Sequence, residues 1–213
     1  MNKKLRELAE QIGIQHKPGS TTKPGKLYHD IPFDKFSTHR EGTEKRAQLI
    51  LDNYSVSNKA GLDLGCSVGG MSFYLTLAGA TMTGVDYDPA VIEFAKAAAS
   101  EYNCPVDFKR KSITAHLIKE MPKYDFIIWL DQWMWIVKDQ GWKAATELLK
   151  QVSRKAPIMF FSTSQNDGQA KNQIKSANDG SALLKQHTIY TNIQNLGVVD
   201  DNWHKRSTFI CSR

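Results

Sequence analysis

Hydrophobic positions change their spacing near residue 60, and the change separates a short leading region from a regular alternation of strands and helices. Before it, Leu5, Leu8 and Ile12 recur at helical spacing and predict an amphipathic helix over 3–12. Pro18-Gly19 and Pro24-Gly25 then break the chain, so 16–26 reads as a connection. The run Leu27-Tyr28-His29-Asp30-Ile31-Pro32-Phe33 is too apolar for a linker and predicts a flap packed on the main domain. A helix capped by Thr43 is expected to run to about Asn53, with Ala47, Ile50 and Leu51 facing inward. Residues 1–42 are thus expected to form an N-terminal helix and flap, and 43–213 the main domain.

From residue 60 onward, Gly61 to Leu64 predicts a buried strand, Met71 to Ala78 a helix, and Thr81 to Val85 a second strand. Pro89 to Tyr102 follows as a strong helix, with Asp88 as its cap and Pro89 in its first turn. Val106 to Lys109 makes a third strand, and Ser112 is expected to cap the next helix. Tyr124 to Leu130 is almost continuously apolar, as in a strand whose sheet is covered on both faces. A helix over 139–153, a strand from Pro157 to Ser162 and a polar region of helical potential over 168–185 complete the alternation. The last segments, His187 to Ile193 and Arg206 to Cys211, have no helix between them and should pair as an antiparallel hairpin. The pattern predicts a doubly wound α/β sheet.

Composition narrows the class. With 213 residues, 41% hydrophobic and 23% charged, the chain can bury one good core. No apolar run reaches the length of a membrane span, and no apolar stretch follows the basic residues near Met1 as a secretory signal would require. Cys66, Cys104 and Cys211 are far apart, without the paired spacing of a metal or redox site. Their odd number suits a reducing compartment, so a soluble, cytoplasmic protein is expected. The net charge of +6 favours anionic partners, but its lysines are scattered; Lys109-Arg110-Lys111 is the densest cluster.

Candidate chemistry begins at the first strand-to-helix turn, Leu62-Asp63-Leu64-Gly65-Cys66-Ser67-Val68-Gly69-Gly70. An open α/β sheet binds nucleotides at the carboxyl ends of its strands, where glycine lets backbone approach the ligand. The Gly-x-x-x-Gly-Gly spacing differs from the Gly-x-Gly-x-x-Gly of a dinucleotide fold. Asp63 precedes the turn and can orient it or accept from a cationic ligand group. Asp86 ends the second strand, where a carboxylate can accept from both ribose hydroxyls.

These motifs resemble the class I S-adenosylmethionine (SAM)-dependent methyltransferases, over about residues 60–163 by motif and to the C-terminus by strand pattern. The resemblance implies a Rossmann-like, seven-stranded, mostly parallel sheet with an antiparallel C-terminal hairpin, and SAM as the cofactor. It places Asp63, Gly65, Cys66, Ser67, Gly69 and Gly70 around the methionine part of SAM, Asp86 on the ribose and Tyr87 near the adenine. Ser112 and Ile113 stand where the family often has an acidic residue near the adenine amine. Leu130 would close the pocket, and Arg40 would reach the SAM carboxylate or an anionic substrate.

The same topology implies that the acceptor meets the ends of the fourth and fifth strands and the final hairpin loop. Those segments are Asp131-Gln132-Trp133-Met134-Trp135, Ser162 to Asp167, and Asp200 to His204. Asp131 and His204 are the candidate bases for a hydroxyl acceptor, with His29 and His39 as weaker ones. Asp131 can equally hold the SAM amino group or cap the next helix. Trp133, Trp135, Trp203 and Tyr28 are candidate substrate contacts, and ordinary core packing is the competing role for each tryptophan. Asp131, Asp167 and Asp200 lack the fixed spacing of a metal site, so no metal is expected. Asp131-Gln132-Trp133-Met134 lacks the Asn/Asp-Pro-Pro-aromatic motif of base-amino methyltransferases. The flap residues 28–31, with Arg40 and Arg46, are instead similar to glycan-modifying members that cap O-antigen polysaccharides. Those members carry histidines near the position of Trp135, which leaves the base open. The expected acceptor is a hydroxyl or phosphate of a glycan or small molecule; RNA methylation and a non-catalytic SAM-binding module are the alternatives.

Overall fold

A computed structural model describes residues 3–15, 26–33, 36, 38–40, 42–164, 177–200 and 205–213. The chain divides into two compact units, Met1–Ser112 and Ile113–Arg213.

The first unit contains α1 (Lys3–Gln15), β1 (Leu27–His29), β2 (Thr38–Arg40), α2 (Thr43–Asn53), β3 (Ala60–Leu64), α3 (Gly70–Leu77), β4 (Thr81–Asp86), α4 (Pro89–Glu101) and β5 (Val106–Arg110). Leu5, Leu8 and Ile12 are all buried, as their spacing requires, and α1 packs on α4. The flap is part of the same core: Leu27 and Ile31 cluster with Phe73, Phe94 and Phe108. Phe33 stacks on Tyr102 with 4.4 Å between ring centroids. β1 and β2 form a small parallel ribbon. Thr43 does not cap α2; it is the first helical residue, preceded by Gly42 with φ 107°. Its N–H donates to Asp30 Oδ1 at 3.3 Å, so the flap supplies the acceptor that a local cap would otherwise provide. Three strands run parallel in the order β5-β4-β3, with Leu64 level with Val85 and Asp86 level with Arg110. Asp88 caps α4, accepting from the Ala90 N–H at 2.8 Å, as expected.

The second unit contains α5 (Ala115–Glu120), β6 (Phe126–Leu130), α6 (Trp133–Gln140), α7 (Trp142–Ser153), β7 (Ile158–Ser164), α8 (Ala177–His187), β8 (Asn192–Asp200) and β9 (Lys205–Ser212). Its strand order is β6-β7-β9-β8, with β9 antiparallel to both neighbours. Phe126 to Trp129 are fully buried, which accounts for the apolar run. Ser112 does not cap α5; the Thr114 hydroxyl does, accepting from the Leu117 N–H at 3.2 Å. The single helix expected over 139–153 is two. Gly141 breaks it with φ 80° and ψ 163°, a conformation open to glycine, and α6 begins earlier, at Trp133. The penultimate strand lies at 192–200, because His187 still belongs to α8.

The seven main strands have the expected fold class, a Rossmann-like, mostly parallel sheet ending in an antiparallel hairpin. Among the described residues no helix is long and apolar enough to cross a membrane.

Candidate functional site

In the first unit, the glycine turn joins β3 to α3 and is tied to the end of β4. The Val85 carbonyl accepts from the N–H groups of Gly65 and Cys66, at 2.8 and 3.0 Å. Gly65 and Gly69 have φ of 81° and 87°, and Ser67 between them has φ 50°. A Cβ on Gly69 would lie 2.5 Å from Phe108 Cζ, and one on Gly70 would overlap the Asp30 carbonyl oxygen. Both glycines are therefore required by close packing under the turn and beneath the flap.

Two carboxylates face this turn. Asp86 Oδ2 accepts from the Ser67 N–H at 2.9 Å and Oδ1 from the Asp88 N–H at 3.0 Å. Burial raises its pKa above the ordinary range, and those two backbone donors counter part of the rise. Asp63 is only 4% exposed and accepts from the Ser72 hydroxyl at 2.7 Å. Burial is the main cause that pushes its pKa up to about 7; the Ser72 hydroxyl lowers it and the charge of Asp86 raises it. Among the described residues no cation contributes to holding either carboxylate in its charged form. A pair of buried carboxylates beside an open glycine turn and a helix N-terminus suits a ligand that carries its own positive charge and ribose hydroxyls.

Cys66, also in this turn, is buried with its thiol pushed well up, so it is a packing residue that remains protonated. Tyr87 is 70% exposed at the end of β4, and its carbonyl accepts from Arg110 Nε at 3.4 Å. Tyr28 is half-buried, its ring edge-on to His29. Arg40 lies on β2, but its side chain is outside the described residues, as is that of His39. Ser112 is exposed. The sequence reading missed one group here. Asp30 in the flap joins α2 to α3, because Tyr74 Oη donates to its Oδ2 at 3.3 Å while Oδ1 takes the Thr43 N–H.

In the second unit, Asp131 follows β6 with φ 60°, in the left-handed region. That conformation costs an aspartate about 1 kcal/mol, so other contacts must hold it. Its N–H donates to the Ser162 carbonyl at 3.0 Å, and its Oδ1 accepts from the Ser162 hydroxyl at 2.8 Å. Arg206 Nη1, 2.6 Å from the same Oδ1, completes an ion pair whose side chains are 3% and 12% exposed. Neither the role of Ser162 nor that of Arg206 was visible in the sequence; an arginine next to Lys205 at the start of the last strand was the only signal.

Trp133 is corrected from a substrate contact to a core residue. It is fully buried in the first turn of α6, edge-on to Trp129, Phe161 and Trp142. Neither its indole N–H nor that of Trp129 has an acceptor among the described residues. Trp135, two positions on, is 47% exposed, with Lys138 Nζ 5.1 Å from its ring centroid. Leu130 is half-buried, and the buried Ile113 accepts from Gln140 Nε2 through its carbonyl. Trp203 and His204 lie outside the described residues.

Residues 62–156 match the family model described as a methyltransferase domain. A ubiquinone biosynthesis O-methyltransferase of Methylobacterium nodulans is 33% identical over 87 residues, covering 41% of this chain and 32% of that protein. Its counterpart in Klebsiella pneumoniae is 28% identical over 110 residues, covering 51% and 44%. The match thus spans less than half the length of these curated relatives. Among solved structures, WbdD, described as a bifunctional kinase-methyltransferase, matches with a TM-score of 0.79 at 20% identity, over 98% of this chain and 46% of that one. Magnesium protoporphyrin IX methyltransferase from Synechocystis PCC 6803, solved with bound SAM, matches with a TM-score of 0.63 at 17% identity, over 80% and 77%.

Proposed function

We propose that the chain is a class I SAM-dependent methyltransferase, with SAM as its cofactor, and that it methylates a hydroxyl oxygen of a glycan or other small molecule. The observation that carries this reading is the glycine turn with Asp63 and Asp86 at its edge, buried and held by neutral donors. SAM fits that turn by the chemistry of its donors and acceptors: Gly69 and Gly70 let the turn pack closely on Phe108 and the flap, Asp86 would hold the ribose, and Asp63 would face the positive charge of SAM. The sequence resemblance assigns Gly65, Cys66 and Ser67 to the loop around SAM, Tyr87 and Ile113 to its adenine, and Leu130 to its pocket. Arg40 is assigned to the carboxylate of SAM.

When bound, SAM would supply a methyl group on a sulfonium, with a neutral thioether as the leaving group. The protein aligns the acceptor oxygen and removes its proton. Asp131 takes the hydroxyl proton as that oxygen bonds to the methyl carbon, and His204 is the second candidate for this role. Trp135 and Trp203 offer flat faces to a sugar ring, with Tyr28 as a further contact. Oxygen as the acceptor is supported by the names of the ubiquinone O-methyltransferases, and a glycan by the sequence resemblance to glycan-modifying members. The three cysteines are free and buried, which fits a cytoplasmic setting.

The test is transfer of radiolabelled methyl from SAM to separated glycan, RNA and small-molecule fractions. Label in glycan or small-molecule hydroxyls supports the reading. Label confined to RNA, with binding that weakens steeply as salt rises, transfers the function to nucleic acid. SAM binding without transfer to any fraction leaves a binding module.

A further inference from the structure

Asp131 combines two features that are individually costly. It holds a left-handed backbone without being glycine, and it is a nearly buried carboxylate. Both are stabilised by residues that come from β7 and β9. The β6–β7 register sets Leu130 level with Ser162, which brings the Ser162 carbonyl to the Asp131 N–H and its hydroxyl to Oδ1. β9 then enters antiparallel beside β7, with Arg206 level with Ser164, and delivers the guanidinium to the same oxygen.

A structural requirement alone does not account for this arrangement. A turn after β6 could be made by glycine at no conformational cost, and a hydrophobic residue in place of each ion-pair partner often stabilises a fold as well or better. Backbone strain held in place by a buried ion pair is commonly found where a side chain must be aimed. Ser162 and Arg206 meet on Oδ1, so they fix both the position of the carboxylate and the plane in which it lies.

We propose that Arg206 is a positioning residue for the transfer reaction: with Ser162, it holds the Asp131 carboxylate in the one orientation that accepts the proton of the acceptor hydroxyl. This rests on the methyl-transfer reading above and adds a residue to it. Arg206 touches Asp131 and acts through it, and Asp131 is the group that meets substrate.

The experiment is a double-mutant cycle on the full chain, using Arg206→Met, Asp131→Asn and the pair together, with Arg206→Lys and Ser162→Ala as milder variants. Unfolding midpoint, SAM affinity by calorimetry, and kcat with the acceptor fraction that wild type methylates are measured for each. Arg206→Met and Asp131→Asn each leave a buried charge unpaired and lower the midpoint; the double variant recovers part of that loss. The kcat of both single variants falls about a hundredfold while SAM affinity stays within about twofold. The double variant recovers stability but not turnover, and its kcat is no lower than that of either single variant. Arg206→Lys keeps the charge without the planar fork and restores part of the turnover, and Ser162→Ala loses less than Arg206→Met. The positioning role is overturned if Arg206→Met retains wild-type kcat, or if the double variant regains turnover together with stability. Wild type that binds SAM and methylates no fraction overturns the transfer reading itself. That result is distinct from loss of the positioning role alone.

Discussion

The carboxylates of the two units meet opposite electrostatic solutions. In the first unit Asp63 and Asp86 end up buried at strand ends and, among the described residues, a hydroxyl and backbone N–H groups hold them, and both are pushed toward protonation. In the second, Asp131 has a guanidinium from β9 directly on it. A site that lacks its counter-charge is prepared for a ligand that brings one; a site that contains it is prepared to hold a group still. SAM carries a sulfonium and an ammonium, so the first arrangement suits cofactor capture. The second suits alignment of a reacting group.

The largest effect that can break this comparison is loss of the ribose contact proposed for Asp86. Asp86→Ala should weaken SAM binding at least a hundredfold by calorimetry, because two charge-assisted hydrogen bonds contribute about 1.5–3 kcal/mol each. An unchanged affinity removes Asp86 from the cofactor. Asp131→Asn should do the opposite, lowering kcat about a hundredfold in steady-state assays while SAM affinity stays within about twofold. Equal losses in both would move Asp131 to the cofactor shell.

A smaller effect concerns pH. With its pKa raised to about 7, Asp63 keeps a proton in the folded chain that the unfolded chain releases near pH 4. The folded state therefore binds more protons between those values, and this group's contribution to stability falls as pH rises from about 4 to about 7. The loss is on the order of a few kcal/mol. Thermal melts of the SAM-free protein should show that decline. Asp63→Asn should remove this part of it, and saturating SAM should reduce it by supplying the missing positive charge. A slope identical in wild type and Asp63→Asn would show that Asp63 is not the titrating group.

The smallest effect separates two tryptophans. Trp135→Ala should change stability by no more than about 0.5 kcal/mol, since the ring is half exposed, while raising the acceptor KM a few-fold. Trp133→Ala, which empties a core position, should instead appear mainly in the denaturation midpoint. If Trp135→Ala left the acceptor KM unchanged, the sugar-stacking assignment would fall.

How much of this was legible depends on how local each cause is. The glycine turn was readable because its requirements are local: glycine at positive φ, a strand before it and a carboxylate at the end of the next strand. Asp88 as a cap was readable for the same reason. Thr43 was misread because a distant carboxylate, Asp30, satisfies the N–H at the start of α2. Trp133 was misread because α6 begins at that residue and its indole packs against Trp129, Phe161 and Trp142, which come from other elements.

From the amino-acid order alone came the strand–helix alternation, the hairpin at the end of the chain, the glycine turn and its two carboxylates, since each follows from spacing over a few residues. Only the tertiary structure decided which charges meet. Asp131, just after β6, and Arg206, on β9, are far apart in the chain, and the antiparallel entry of β9 beside β7 brings them together. Short-range pattern carries periodicity and turn chemistry; it carries no information about the neighbour that a sheet brings in from elsewhere.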